Sequence, residues 1–543
     1  MSRTCRLLCG AFFALSAGRG TGLRGQVSPG TDSAPGGANF PISCSPSAQT
    51  EFNRATALLH HMTYPRAREG FERVAAIDRG CAMAHWGIAM TLFQPLWPTR
   101  PGPPELTRGW AEVEKARQPG RSTERERLFI EAAAAFFEDP ASTDYWARIR
   151  RWEAAMSRVQ RTFPHDDEAA AFYALALLAL PVSQPDSGRA HSERAADLLM
   201  AVYRRNPHHP GAMHYLVHAN DAAGREHDSL AIVRKYETTA PRNPHALHMP
   251  THIYTRLGDW NGSIRGNLMA AAAALEHPAG DHGQYVWDEF PHAIEYLVYA
   301  YLQKGMDDSA GAQLRRIETT TGLEPTFKTA FHLASTRARF ALERHAWREA
   351  RSLPPRDPPL LSWDRFAWPE AVAWFARGLG AIHEGNREEA RQAITRIKDL
   401  ESVAERAGES LFARQIRILG LEVAAWVASA EGNASGSTTL MREAIALEEA
   451  TPKPAVTPAP TIPAQELLGD LLMQQGKPDE ALTAYQRSLE LYPGRFNSLM
   501  GGARAAKAGG NASVARSLYR ALLEVAGEGT RLSALEEARR FVE

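Results

Sequence analysis

AQELLGDLLMQQGKPDEALTAYQRSLELYP, residues 464–493, is the stretch that decides the fold. Small residues, one aromatic and one proline recur in it at intervals of seven, five, four and eight residues: Gly469, Gly476, Ala481, Tyr485 and Pro493. Small residues at these spacings let two antiparallel helices approach closely, an aromatic ring fills the gap between them, and a proline ends the second helix. The stretch therefore predicts one helical hairpin of a repeat array.

The hairpin resembles the tetratricopeptide repeat (TPR), with five signature positions in one unit of about 34 residues. The same frame finds further units, which begin at Pro210, Pro244, Pro291, Ala371 and Phe496. The resemblance covers most of residues 48–540 and is weakest around residues 91–132. It implies an all-α fold, a TPR-type α-α solenoid that winds as a right-handed superhelix of helical hairpins with irregular inserts.

In the repeats that this chain resembles, positions 2, 5, 9 and 12 of each first helix line a concave groove. The spacing places all four positions on one helical face. Extended peptides most often lie there, so the resemblance implies a peptide or protein partner in the groove. Two stretches, HPGAMHYLVHAND at 209–221 and HALHMPTHIYTRLGDW at 245–260, resemble exported bacterial TPR proteins, which implies a shared groove but no particular reaction.

The N-terminus predicts export. Arg3 and Arg6 precede apolar residues 7–17, and Gly18 suits cleavage, so residues 1–18 are predicted to be a signal peptide, too short to span a bilayer of about 30 Å. We expect a periplasmic or secreted protein with no transmembrane segment in the mature chain; an uncleaved membrane anchor or a disordered tail is the alternative. The remaining organisation is a flexible linker at 19–47, N-terminal repeats at 48–207, a histidine-rich block at 208–310, degenerate repeats at 311–450, a Pro-rich insert at 451–463 and C-terminal repeats at 464–543.

Once the signal is removed, Cys44 and Cys81 are the cysteines that remain. An oxidising compartment permits a disulfide between them, and two buried thiols are the alternative. Charge is balanced, with 62 Lys+Arg against 62 Asp+Glu, and no basic tract is interleaved with aromatics. We therefore expect no nucleic-acid partner. No HExxH, GxSxG or phosphate-binding glycine loop supports another enzyme class.

Histidine is distributed unevenly. Eleven of the 19 histidines lie in residues 208–292. His214 and His218 occupy positions 5 and 9 of one repeat unit, and His248 and His252 occupy the same positions of the next unit. An i, i+4 pair shares a helical face, and neighbouring helices pack about 8–10 Å apart. The four imidazoles are therefore predicted to converge on the solvent-facing wall of the groove.

Transition metals prefer such a combination of imidazoles with carboxylates. The predicted ion is zinc, copper or iron, in a mononuclear or dinuclear site, with this ligand set: His214, His218, His248, His252, His245, His292, Glu295 and Asp221. If the site is catalytic, a metal-bound water is predicted to act as nucleophile, with Glu295, Asp221 or Tyr299 moving protons. Oxidative chemistry at copper or iron is the alternative.

Two local features bear on this site. Pro250 lies between His248 and His252 and is predicted to kink the helix or delay its start. Asp281 and His282 lie in an insert that we expect to fold over the site. The competing hypothesis for function is an interaction scaffold without metal, since helical-repeat arrays usually bind other proteins.

Overall fold

The computed structural model describes residues 37–97, 100–118, 120–141, 144–180, 185–222, 224–280 and 283–543. The predicted signal peptide lies outside these residues, as do Asp281 and His282. The described part is an all-α array of helical hairpins, so the predicted fold class is confirmed. None of its helices is long and apolar enough to cross a membrane.

The helices follow one another with short connections. The N-terminal helices are α1 (Pro46–His60), α2 (Tyr64–Ile77), α3 (Ala82–Met90), α4 (Pro103–Ala116), α5 (Glu124–Phe137), α6 (Tyr145–Thr162), α7 (Asp167–Ala179) and α8 (Pro185–Arg205). The central helices are α9 (Pro210–Asn220), α10 (Leu230–Tyr236), α11 (Pro244–His248), α12 (Pro250–Leu257), α13 (Trp260–Leu275), α14 (Glu289–Gln303), α15 (Asp307–Thr319), α16 (Phe327–Leu342) and α17 (Trp347–Arg351). The C-terminal helices are α18 (Ala367–His383), α19 (Arg387–Arg406), α20 (Ser410–Ala430), α21 (Ala434–Glu449), α22 (Ala464–Gln474), α23 (Pro478–Leu491), α24 (Phe496–Ala508), α25 (Ala512–Ala526) and α26 (Leu532–Val542).

The hairpin of α22 and α23 shows why the quoted stretch folds as it does. A Cβ on Gly469 would lie 2.6 Å from the ring of Tyr485, so only glycine lets the tyrosine fill the space between the two helices. Gly476 has a φ of +71°, a left-handed conformation that glycine adopts readily, and it ends the turn region after α22. The predicted helical hairpin is confirmed at this position.

The array closes on itself. The first helices of successive hairpins, α14, α16, α18 and α20, pack side by side. The Trp260 indole Nε1 donates a hydrogen bond to the Gly494 carbonyl at 3.0 Å, which joins the central repeats to the C-terminal ones. The Trp146 indole donates to the Gly408 carbonyl at 3.1 Å, which joins the N-terminal repeats to α20 and its preceding turn.

The Pro-rich insert at 451–463 lies inside this closed array. The Arg339 guanidinium donates to the carbonyl oxygens of Pro460, at 2.7 Å, and Thr461, at 3.3 Å. The Lys453 ammonium lies 2.8 Å from Asp221 Oδ2. The prediction of an open, solvent-facing groove at the histidine block is therefore wrong, because the chain's own insert covers the wall that carries it.

One further prediction differs from the structure. The flexible linker was expected to extend to residue 47, but the Phe40 side chain is fully buried against Phe52 and Trp86. The segment from residue 37 onward therefore belongs to the packed core. A short antiparallel pair, β1 (Pro278–Ala279) and β2 (Tyr285–Val286), also interrupts the helices.

Cys44 and Cys81 form a disulfide bond with a Cα–Cα distance of 5.3 Å. It ties the segment before α1 to the start of α3, across a sequence separation of 37 residues. Of the two alternatives, the structure therefore contains the disulfide.

Replacing both cysteines by serine is expected to lower the free energy of unfolding by about 2–4 kcal/mol, because the released loop gains entropy in the unfolded chain. Urea denaturation followed by circular dichroism measures the loss. Reductant should bring the wild type to the variant's midpoint and leave the variant unchanged. A reductant-insensitive wild type would contradict the pairing.

Candidate metal centre

Three histidines from two helices converge in what we call triad A: His214 and His218 on α9, and His245 on α11. The Nε2 atom of His214 lies 3.2 Å from Nε2 of His218 and 3.0 Å from Nε2 of His245. One nitrogen from each ring lies within 4.8 Å of the others. The three rings therefore point the same type of atom at one small volume.

Hydrogen bonds on the opposite ring nitrogens fix the tautomers in triad A. The His214 Nδ1–H donates to the His60 carbonyl at 2.5 Å, since a carbonyl only accepts. His245 Nδ1 lies 3.0 Å from a carboxylate oxygen of Glu289. Burial alone would raise the pKa of Glu289, but the Lys328 ammonium beside it and His245 hold that pKa well below the usual range. The carboxylate is thus ionised, His245 donates from Nδ1, and both Nε2 atoms carry lone pairs.

His248, His252 and His292, on α11, α12 and α14, form triad B. The Nε2 atoms of His248 and His252 are 3.0 Å apart. His248 Nδ1 donates to the Asn267 side-chain oxygen at 2.7 Å, and that amide is oriented because its nitrogen donates to the Ser263 carbonyl. These two Nε2 lone pairs therefore face one another unless a cation lies between them.

The remaining Nδ1 atoms of triad B are also committed. His252 Nδ1 donates to Asp221 Oδ2 at 2.7 Å. His332 donates from Nδ1 to Glu295 at 2.6 Å, so its Nε2 accepts from His292 Nδ1 at 3.0 Å. His292 Nε2 is buried and has no hydrogen-bond partner among the described residues. A buried polar atom without a partner is costly, which makes a ligand at this point the simplest explanation.

The spacing of the nitrogens fits a metal ion. Two nitrogens bound at about 2.0–2.1 Å to one tetrahedral ion lie roughly 3.3–3.4 Å apart. The Nε2–Nε2 separations of 3.0–3.2 Å in the two triads are close to that value. In triad A only His218 has a free choice of tautomer, and one proton cannot satisfy both contacts of His214 Nε2.

Burial favours the neutral form of several of these imidazoles. It lowers the pKa of four of them well below the usual histidine range, and neighbouring imidazoles lower it further: His214, His218, His248 and His292. Neutral imidazole is the form that binds metal ions. The triads are therefore poor proton sites and suitable cation sites.

Local sequence brings the rings together. A Cβ on Gly211 would lie 2.5 Å from the His60 ring, so glycine lets α9 approach α1 and places His214 against the His60 carbonyl. The predicted disturbance at Pro250 is present, because α11 ends at His248 and α12 begins at Pro250. His248 and His252 nevertheless meet through Nε2 across this break.

The predicted carboxylates and tyrosine have other roles. Asp221 accepts from His252 and from Arg256, at 2.9 Å. Glu295 accepts from His332, Ser335 and Arg339, so both carboxylates orient imidazoles and neither faces a triad. The Tyr299 hydroxyl accepts from Arg495 at 3.2 Å, away from the triads. The sequence prediction of these three residues as ligands or proton carriers therefore differs from the structure.

Four residues near the triads were not predicted: Tyr296, His332, Glu289 and His60. The Tyr296 hydroxyl lies 3.4 Å from His252 Nε2, next to triad B. His332 and Glu289 act through their contacts with His292 and His245, and repeat positions give no signal for such contacts. His60 contributes a carbonyl oxygen, which the residue type does not reveal.

The two triads differ in access. His218 lines a cavity of about 540 Å³ that extends toward the Pro-rich insert. The other five triad histidines do not line it, and their residues are at most 2% exposed. Triad A therefore has an approach from the cavity, whereas triad B is enclosed by protein.

A third cluster, His60, Glu168 and His209, has different chemistry. His60 Nε2 and the Glu168 carboxylate are 2.8 Å apart, and His209 Nε2 lies 3.5 Å from the other carboxylate oxygen. The Ala212 backbone N–H donates to His209 Nδ1, so the His209 proton is on Nε2 and points at Glu168. His209 Nε2 and the Glu168 oxygen that faces it make no hydrogen bond among the described residues, and the contact between His60 and Glu168 gives the cluster a structural role.

The model of the tetratricopeptide repeat family matches residues 463–495. Residues 463–495 of this chain are therefore a tetratricopeptide repeat. Among curated proteins, none matches the sequence. Three solved structures are similar to this TPR chain: the APC/C hetero-tetramer Cut9-Hcn1 (14% identity, 91% of this chain and 90% of that one, TM-score 0.28), a human IFIT1 dimer with PPP-AAAA (13%, 82% and 90%, 0.39), and a tetratricopeptide repeat protein from Parabacteroides merdae (16%, 55% and 98%, 0.28). Superpositions this loose give no indication of function.

Glu168→Gln is expected to lower the free energy of unfolding by about 1–3 kcal/mol near pH 6, because the buried N–H groups of His60 and His209 lose the carboxylate that faces them. Despite burial, His60 and His209 hold the pKa of Glu168 below its usual 4.5, and Glu168 raises that of His209 above 6.5 against the effect of burial. The carboxylate's contribution is therefore lost as pH falls below about 4.5.

Urea denaturation between pH 4 and pH 8 measures this difference. Glu112→Gln is the matched control, since the His85–Glu112 pair is partly exposed, at 21% and 10% for the two side chains, and should contribute less than about 1 kcal/mol. If both variants lose the same free energy of unfolding, the buried contacts of Glu168 stabilise the protein no more than the partly exposed His85–Glu112 pair does.

Proposed function

We propose that this TPR protein binds two transition-metal ions, one in each triad. The observation that carries the proposal is the convergence of Nε2 lone pairs in a buried interior, with Nδ1 of five of the six rings committed to another hydrogen-bond acceptor. A purely structural histidine would pair its ring N–H with an acceptor, as His60 Nε2 pairs with the Glu168 carboxylate.

The donor set defines the class of ion. Three imidazoles at each triad suit zinc, copper or iron, and calcium or magnesium would need oxygen ligands instead. The carboxylates Asp221, Glu289 and Glu295 reach the triads only through an imidazole, which is the usual way that surrounding groups orient metal-binding histidines. Each triad supplies three protein ligands.

We further propose that triad A is a catalytic metal site. Catalytic sites commonly combine three protein ligands with one position left for water or substrate. His218 lines the cavity, so triad A has space on that side, and a bound ion would supply Lewis acidity there. Triad B has no such approach and would serve to hold an ion in place.

A protein-binding scaffold is the second candidate, and the TPR fold itself favours it. At the triads the concave side is occupied by residues 451–463, so a partner would bind to other repeats. Measuring the metal content of the purified protein distinguishes the two candidate functions.

Elemental analysis of the untagged protein, purified without oxygen and supplemented with zinc, copper or iron, should find about two ions per chain. His245→Ala and His292→Ala should each leave about one, because each removes one of three ligands from a single triad. His208→Ala is the matched control, since His208 is exposed and lies in the same block, and it should retain both ions. If the wild-type protein contains no metal with any of the three supplements, the metal-binding proposal is wrong and the protein-binding scaffold remains.

Asn267→Ala should weaken binding at triad B about 10–100-fold and leave triad A unchanged, because the amide only orients His248. Asn267→Asp should retain or strengthen binding, since a carboxylate also accepts the Nδ1 proton. Competition with a chromophoric chelator measures both affinities. Equal affinities in the two variants would contradict an orienting role.

A further inference from the structure

The cavity next to triad A has a second unusual end. One face of α20 lines it at helical spacing, through Leu411, Gln415, Ile418 and Glu422. Trp368 and Phe412 stack in its wall with ring centroids 5.2 Å apart. Phe331 packs on Trp368 at 4.3 Å. The cavity therefore has an aromatic wall and a carboxyl group in its lining, together with basic and other polar side chains.

That carboxyl group has no partner. The Glu422 residue is fully buried, and neither of its oxygens has a hydrogen bond among the described residues. Burying an unpaired carboxyl group costs several kcal/mol, by general estimates of about 2–7 kcal/mol even when the group is neutral. A residue kept at this cost inside a cavity points to a ligand that satisfies it.

A second carboxyl group stands beside it. Glu448, at the end of α21, lines the same cavity and is 9% exposed. Its only described hydrogen bond is a long one, 3.4 Å, from the Ala464 backbone N–H. Burial, with the nearby Glu448, raises the pKa of Glu422 well above the usual range, and burial raises that of Glu448 to about 8. At neutral pH the pair therefore retains protons that a cation can replace.

Most basic side chains of the cavity are committed elsewhere. Arg100 pairs with Glu409 at 3.1 Å, and Arg487 pairs with Glu449 at 2.7 Å. Lys453 pairs with Asp221 at the opposite end, beside triad A. Glu422 itself has no ion pair among the described residues, so these basic side chains do not occupy its carboxyl group.

We propose that this cavity binds a small organic amine, with its ammonium group between Glu422 and Glu448 and its apolar body against Trp368 and Phe412. An ammonium ion donates three hydrogen bonds, and the pair offers four oxygen atoms. Aromatic walls add a favourable interaction with a cation. Calcium and magnesium fit the pair less well, because they need about six or more oxygens and the two carboxyl groups offer four.

The site does not depend on metal in the triads, since no triad residue contacts Glu422 or Glu448 in the hydrogen bonds described. It does define the type of molecule that would reach triad A. Glu422 and His218 line the same cavity.

Isothermal titration of the full chain with 2-phenylethylamine at pH 7 tests the proposal, with 2-phenylethanol as the neutral probe of similar shape. The amine should bind at least about tenfold more tightly than the alcohol. Glu422→Gln should weaken amine binding by at least about tenfold and leave alcohol binding unchanged. Glu449→Gln is the matched control: it lines the cavity but already pairs with Arg487, and it should bind the amine as wild type does.

Thermal melting separates a binding role from a structural one. Without ligand, Glu422→Gln should melt at the wild-type temperature or above it, because it removes an unpaired buried acid. If that variant fails to fold, Glu448→Gln serves for the same titration. The proposal is overturned by no amine binding to wild type at millimolar concentration, by equal binding of amine and alcohol, or by a Glu422→Gln variant that binds the amine normally. Metal content measured on the same samples shows separately whether the triads are filled.

Discussion

The hydrogen bonds donated by Nδ1 of the triad histidines are the constraint on which the two triads depend. Five of the six triad imidazoles donate from Nδ1 to the His60 carbonyl, Glu289, Asn267, Asp221 or His332. Each donation turns a lone pair on Nε2 inward. Because those lone pairs meet at 3.0–3.2 Å in a buried space, the interior has the electrostatic character of a cation site.

The fold buries the triad imidazoles and so keeps water away from their Nε2 lone pairs. A simple helical-repeat array would leave the histidine wall open to water, where imidazoles exchange partners freely. Here the array closes through Trp260 and Trp146, and the Pro-rich insert enters the concave side. Lys453 and Arg339 connect that insert to Asp221 and Glu295, so the closing segment and the ligand-orienting carboxylates form one network.

The sequence predicted the helical repeats, the convergence of His214, His218, His248 and His252, and the candidacy of His245 and His292. It did so because the 34-residue period places these residues in register. Burial was not predictable, since it depends on an insert more than 150 residues away. The roles of Asp221 and Glu295 were assigned too directly, because residue spacing cannot tell a carboxylate that faces a metal from one that faces an imidazole. His332 was not predicted, because its contact with His292 joins two different repeats.

The most direct test of the two-ion centre is anomalous scattering from crystals of the metal-loaded protein, recorded on both sides of the metal's absorption edge. The account predicts two peaks, each about 2.0–2.1 Å from three Nε2 atoms, one within His214, His218 and His245 and the other within His248, His252 and His292. Anomalous density elsewhere in the chain, or none at either triad in metal-loaded crystals, would contradict it.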